Sequence, residues 1–502
     1  MSNHDIYTSP LAERNASKEM LRLWSPRHKF NTWRRIWLAV AEAQHEMGLP
    51  VSREQVEELR ANLDVTDADM ELAGEYERKL RHDVMAHVHA WGDRCPKAKG
   101  IIHLGMTSQD VVCNADAVIL ECSAGLILNK AAACMVALGA FADRTRSIPA
   151  LGFTHYQPAQ PVTVGRRAAG WAYELRISEN VLLRVWDGQQ AKGLRGATGT
   201  QASFLALCGN DPERVDELER RFCDNISTQF FEDKQRIDSF AMPHALVGQT
   251  YPRVTDANLL AGLASVAAVL HKIATDIRLL SNRKEIDEPF EDKQIGSSAM
   301  PYKRNPMRCE RICGLTRFVM NLVGNAYDTA ATQWLERTLD DSSNRRLSLP
   351  EAFLALDGAL DLMHNVASGL VVHEATVRKN LMAELPFMAT ENILMECVKL
   401  GGDRQEYHEH LRRHAQAAGL RVKQEGLEND LIERLKGDKA FWGKGRGGAL
   451  SAELNWDGVL DPMRYVGRSV EQTERFLKEV VEPLREQYGE AIAGLGESGP
   501  RV

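Results

Sequence analysis

No two of the nine cysteines are spaced as CxxC, their number is odd, and they are scattered from Cys95 to Cys397. This argues against a disulfide framework or a cysteine-built zinc site and points to reduced, mostly buried thiols. Basic charge is not in excess. The net charge of -7 speaks against nucleic acid or an anionic membrane as partner, since both select basic surfaces. The first ten residues, Met1 to Pro10, hold no apolar signal core, and no run of about 18 apolar residues is apparent, so a cytoplasmic protein is expected. Gly196-Ala197-Thr198-Gly199-Thr200-Gln201 is a polar turn, but it follows neither the GxGxxG nor the Walker spacing and no βαβ alternation accompanies it. No cofactor and no metal is expected.

What the chain does contain is helical periodicity. At 502 residues it is too long for one compact core, and its 44% apolar and 26% charged residues are those of a folded globular protein. Leu259, Leu263, Val266, Leu270, Ile273, Ile277 and Leu280 recur at spacings of four and three, which predicts a long helix over 255–282 forming a bundle seam. A second long helix is expected from about Val111 to Arg146. Ile312, Leu315, Val319 and Leu322 resume the pattern, and a further helix is expected from about Pro350 to Val372. The reading is all-α, with an N-terminal helical domain over 1–110, a central long-helix bundle over 111–372 and a C-terminal helical domain over 373–502. The tail from about Gly494 is expected to be disordered.

Polar stretches interrupt the helices. Gly296-Ser297-Ser298-Ala299-Met300-Pro301-Tyr302-Lys303-Arg304-Asn305-Pro306 must be a loop, because two prolines and a glycine fit neither helix nor central strand. It is either an ordinary connection, with Asn305 capping the next helix, or a carboxylate- or phosphate-binding loop. Arg81-His82-Asp83 joins a cation, an imidazole and a carboxylate ahead of a helix with Val84, Val88 and Trp91 on one face. Asp83 and His87, four apart, can pair on the polar side. Thr107 and Ser108 either cap the helix that follows or serve an anion at its start. His155 is the one side chain in the extended segment from Gly152 to Pro161 whose ordinary titration lies near neutral pH, structural or a proton carrier. Glu336 to Arg346 is either a solvated ion-pair network or a phosphate clamp. His408-Glu409-His410-Leu411-Arg412 lacks the second histidine of HExxH, so a surface helix is expected there, and Phe441 to Gly448 is expected to be a mobile connection.

Taken together and in this order, the stretches GSSAMPYKRNP, RHDVMAHVH, HLGMTS, GFTHYQPAQ, TGTQASF and ERTLDDSSNRR resemble the adenylosuccinate lyase family of the fumarase/aspartase superfamily. The likeness runs from Ser9 to about Pro483. It implies a three-domain helical subunit whose central bundle forms the core of a homotetramer, purine nucleotide substrates, and active sites shared between three subunits. It also implies Ser297 as general base, His155 as general acid oriented by Glu310, His82 assisting in binding, and Lys303 and Asn305 facing the succinyl carboxylates. Arg14, Asn15, Arg81, Asp83, Thr107, Ser108, Gln249, Arg311, Arg337, Ser342 and Arg346 match substrate-holding positions. Asn15 stands where the family usually has tyrosine, and residues 437–452 match no part of the resemblance.

Overall fold

The computed structural model describes residues 5–291 and 293–495. Helices dominate, and local chemistry sets their ends. Helix α1 (Pro26–Glu46) starts on the Ser25 hydroxyl with proline at its first position, and stops before Gly48, whose φ of +68° favours a residue without Cβ. Helix α2 (Asp67–Leu80) carries a Thr66/Asp69 capping box and ends on Arg81 in the left-handed conformation. Helix α3 (Asp83–Arg94) follows at once, with His82 as its N-cap. Val84, Val88 and Trp91 are buried on its inner face.

The central bundle is built from α4 (Ser108–Arg144), α5 (Val164–Asp187), α6 (Val254–Asn282), α7 (Met307–Ala331) and α8 (Asp340–Gly369). All seven seam residues of α6 are at most 5% exposed, each full burial of such a side chain stabilising by about 1.5–3 kcal/mol. Helices α4 and α6, whose lengths match the expected ones, are by length and mean hydropathy long and apolar enough to cross a membrane, although no run of about 18 apolar residues is apparent in the sequence. Their most apolar windows are 72% and 56% buried against neighbouring helices, which accounts for that composition. Two further buried clusters flank the bundle, one around Trp33, Trp37, Trp91 and Phe222, the other around Tyr407, Leu431 and Phe441. The nine cysteines are free thiols, eight of them buried.

One expectation is extended and one is corrected. The segment expected to be extended is so, and its two arms pair into a β-hairpin, β1 (Pro149–Thr154) antiparallel to β2 (Gln157–Thr163). His155 and Tyr156 form its two-residue turn with φ of +53° and +57°, the positive values such tight hairpin turns require. Helix α8 begins ten residues before the expected Pro350, so Asp340 to Arg346 are its first two turns rather than a connection. Asp340 and Asp341 favour that start by facing the positive end of the helix dipole, and the bundle accommodates Pro350 inside the helix. The helix Glu482–Gly494 carries the chain through Gly494, and the rest of the expected tail, 496–502, lies outside the described residues.

The bundle has two distinct ends. At one, Arg283 just after α6 lies 4.8 Å from the Phe153 ring of the hairpin, and β3 (Ile286–Asp287) pairs with β4 (Val371–Val372) directly after α8. Helix α7 also starts here. At the other end α4, α6 and α8 begin, Thr329 near the end of α7 hydrogen-bonds Asn344 at 3.3 Å, and Gln249 N–H donates to Glu336 O at 3.1 Å. A 29-residue helix such as α6 spans about 44 Å, which sets the distance between the ends.

Candidate active site

The second end carries a cleft of about 850 Å³. Its wall is assembled from the starts of α3, α4 and α8 and from the turns before α6 and α8, so each polar side chain is held by a helix terminus or a short turn. Arg81, His82, Asp83, Thr107, Ser108, Gln249, Arg337, Ser342 and Arg346 all line it. Nine of the residues singled out in the sequence, drawn from four distant stretches, thus meet in one place. His82 accepts from Met85 N–H through Nδ1 at 3.5 Å, and its Nε2 lies 3.2 Å from the Ser108 hydroxyl. Asp83 pairs with Arg346 at 3.0 Å, not with His87. His87 is instead buried and stacked on Phe30 at 3.7 Å; burial, with Arg34 and Lys29 nearby, pushes its imidazole down to about 4. Arg337 Nη1 donates to Gln249 Oε1 at 2.9 Å.

Beneath the cleft lies a buried ion network that the sequence reading did not single out. Arg253 Nε meets Asp341 at 2.7 Å, and Arg345 meets Asp256 at 2.7 Å and Asp116 at 2.9 Å. Tyr251 O–H donates to Asp256 at 2.7 Å. Burial disfavours the Arg345 cation, but Asp256, Tyr251 and Asp116 outweigh it and hold its pKa well above the ordinary value. Arg337 goes the other way, lowered by burial and by the neighbouring Arg253 and Arg345 against the pull of Asp341. Five arginines and three carboxylates line the cleft, and Arg253 and Arg345 have their own buried acids. The walls are therefore rigid and cationic, a setting suited to phosphate or carboxylate oxygens.

The remaining candidates stand at the hairpin end. Ser297 Oγ accepts from Met300 N–H at 3.1 Å, and Asn305 Nδ2 donates to Gly296 O at 2.8 Å, so Asn305 ties the loop shut instead of capping α7, whose cap is Pro306. Lys303 is exposed, and Glu310 lies 4.0 Å from Arg278. Arg14 lies close enough to Arg311 to lower its pKa, after the larger effect of burial. The Asn15 side chain turns back to Pro10 O at 2.9 Å, while its backbone packs on Gly358. His155 is exposed at the hairpin tip. The residues singled out in the sequence thus divide between the two ends of the bundle, about 40 Å apart by the length of α6.

The family described as Lyase matches residues 39–321, and the family described as Adenylosuccinate lyase C-terminus matches residues 386–476. Adenylosuccinate lyase of Schizosaccharomyces pombe is 46% identical over 482 residues, covering 96% of each chain. The chain belongs to the adenylosuccinate lyase family. Membership makes it a carbon–nitrogen lyase. The Saccharomyces cerevisiae enzyme of that name is 45% identical over the same shares, and the Pyrococcus horikoshii enzyme 32% identical over 95% of this chain and 98% of its own. The fold matches that of 3-carboxy-cis,cis-muconate lactonizing enzyme from Pseudomonas putida, with a TM-score of 0.77 at 22% identity over 96% of this chain and 99% of the other.

Arg253 and Arg345 escaped the sequence reading for different reasons. Arg345 sits inside the quoted polar stretch, but nothing there distinguishes it from its neighbours. Arg253 has no local signal, because its partner Asp341 lies 88 residues away.

Proposed function

We propose that the chain eliminates fumarate from adenylosuccinate, leaving AMP, and likewise from the succinylated aminoimidazole carboxamide ribotide of purine synthesis, SAICAR, leaving AICAR. Ser297 is the general base and His155 the general acid. The base takes the proton on the succinyl carbon next to a carboxylate, the electron pair forms the fumarate double bond, and the carbon–nitrogen bond breaks. The carboxylate bears charge as the proton leaves, so Lys303 and Asn305 serve best facing it. A serine is a weak base at neutral pH, and closure of the 296–306 loop around it, excluding water, is what activates Ser297. His155, oriented by Glu310, protonates the departing nitrogen, while the arginine cleft with Ser342 holds the nucleotide phosphate. No metal or organic cofactor takes part, and the enzyme is cytoplasmic.

The observation that carries this reading is the division of one chain into two half-sites at opposite ends of a long bundle. Chains packed antiparallel bring the hairpin end of one against the cleft of another, and a homotetramer with sites shared between three subunits satisfies this. Exposed apolar side chains along the bundle, including Tyr173, Ile177, Val181, Phe318 and Leu347, give such packing a surface to bury. The test is fumarate release from adenylosuccinate, SAICAR and argininosuccinate by the purified protein. Release from the first two, abolished in Ser297→Ala and His155→Gln with folding intact, is expected. Turnover of argininosuccinate alone would move the enzyme to a neighbouring specificity and refute the proposal.

A further inference from the structure

The segment 437–452, which the family resemblance leaves unmatched, is fastened to helix α9 (Arg404–Glu425) by three side chains. His410 and His414 stand one turn apart on α9, and Asp438 comes to them from the following segment. His410 Nδ1 and His414 Nε2 each lie 2.9 Å from the same Asp438 Oδ2. The three ligand atoms lie within 4.8 Å of one another, and all three residues are half-buried. The other carboxylate oxygen, Oδ1, accepts from Ala440 N–H at 3.0 Å, so the carboxylate is fixed by the turn it caps. That turn places Phe441 in the third buried cluster, edge-on to Tyr407 of α9. The segment expected to be a mobile connection is thus anchored. No HExxH spacing marks the cluster, because His410 and His414 are a separate i, i+4 pair whose third partner, Asp438, lies 24 residues on.

We propose that His410, His414 and Asp438 form a structural site for one divalent transition-metal ion of the zinc class, which clips the 437–452 segment to α9. Two imidazoles and one carboxylate are a ligand set that zinc accepts, with water at the fourth position. Around a tetrahedral ion with bonds of about 2.0–2.1 Å, ligand atoms stand about 3.3 Å apart. Each histidine–carboxylate distance, 2.9 Å, therefore needs to open by only a few tenths of an ångström, and the two ring nitrogens already lie within 4.8 Å of each other. Metal bonding uses the lone pairs of His410 Nδ1 and His414 Nε2, and a neutral imidazole carries its proton on the opposite nitrogen, so no redox partner or further reactant is involved. One group competes: Arg413 Nη2 stands 3.1 Å from His410 Nδ1, and its exposed side chain must swing aside. The site lies beside the third cluster, with Phe441 edge-on to His410, and none of its residues lines the cleft or the 296–306 loop, so the ion is structural rather than catalytic.

The test uses the intact protein, stripped with chelator and titrated with zinc, or with cobalt as a spectroscopic probe. Wild type should hold about one metal ion per chain, give the intense visible bands of tetrahedral cobalt, and unfold at a higher temperature when loaded. His414→Gln and Asp438→Asn should lose the bands and the thermal shift while fumarate release at ambient temperature is retained, and Arg413→Ala should bind more tightly. Using both variants guards against one that fails to fold. Metal uptake by wild type no greater than by His414→Gln, or a cobalt spectrum unchanged in both variants, would reduce the cluster to a hydrogen-bonded clasp and overturn the proposal.

Discussion

Replacing Arg345 by methionine tests whether the buried ion network supports the cleft. The guanidinium is 8% exposed and faces Asp256, itself 4% exposed, at 2.7 Å and Asp116 at 2.9 Å. At an effective dielectric of about 20, a charge pair about 4 Å apart contributes about 4 kcal/mol. Methionine fills much of the volume but leaves Asp256 with the Tyr251 hydroxyl as its remaining hydrogen-bond partner and only the more distant charge of Arg253, itself paired to Asp341, to offset it. Stranding a buried carboxylate costs about 3–5 kcal/mol, and that penalty outweighs the recovered packing. Thermal inactivation of the intact protein should therefore shift sharply downward. Adding Asp256→Asn should restore part of the loss, because the amide keeps the bond from Tyr251 without a charge. A single variant within about 1 kcal/mol of wild type, or a double variant worse than the sum of its parts, would refute the reasoning.

Three other predictions follow from separate parts of the molecule. Arg346→Ala should raise KM for the phosphate-bearing substrate by about 10- to 100-fold with a smaller change in kcat, since a charge-assisted hydrogen bond contributes about 1.5–3 kcal/mol; steady-state kinetics would show the split. Gly296→Ala places a Cβ 2.1 Å from Lys303 O, so the loop must reopen, and kcat should fall while nucleotide affinity, measured by AMP competition, holds. His87 titrates at about 4 in the fold against 6.5 when unfolded. The unfolded chain therefore takes up the proton first as pH falls: stability is complete above about 6.5 and declines toward 4 by up to about 3 kcal/mol, and His87→Phe should flatten that slope in urea titrations at pH 4 and 7.

The long helices were legible because burial on several faces leaves a repeating apolar pattern, and the α6 seam is buried as its spacing predicts. The hairpin was legible only as an extended stretch: its strands are seven residues or fewer, and β2 is rich in proline and glutamine, so no alternation marks their pairing. Pro350 misled the start of α8, because proline ends an isolated helix but is accommodated within a packed one. His87 was placed on a polar face by spacing, yet tertiary contact with Phe30 decides its environment. Of the site, the cleft residues lay in recognisable polar stretches. The buried acids that orient them, Asp256 and Asp341, were not singled out, since a carboxylate on a helix usually means a solvated face. That the candidates divide between two ends is a matter of helix length and direction that no local motif expresses.

The most direct test of a shared site is complementation between variants from opposite ends. Arg337→Glu disables the cleft and Ser297→Ala the loop, so each protein alone should be inactive. Unfolding, mixing and refolding the two should restore a measurable share of fumarate release, because some hybrid sites then draw an intact cleft from one chain and an intact loop from another. Hybrids verified by native mass spectrometry that remain inactive would contradict the account.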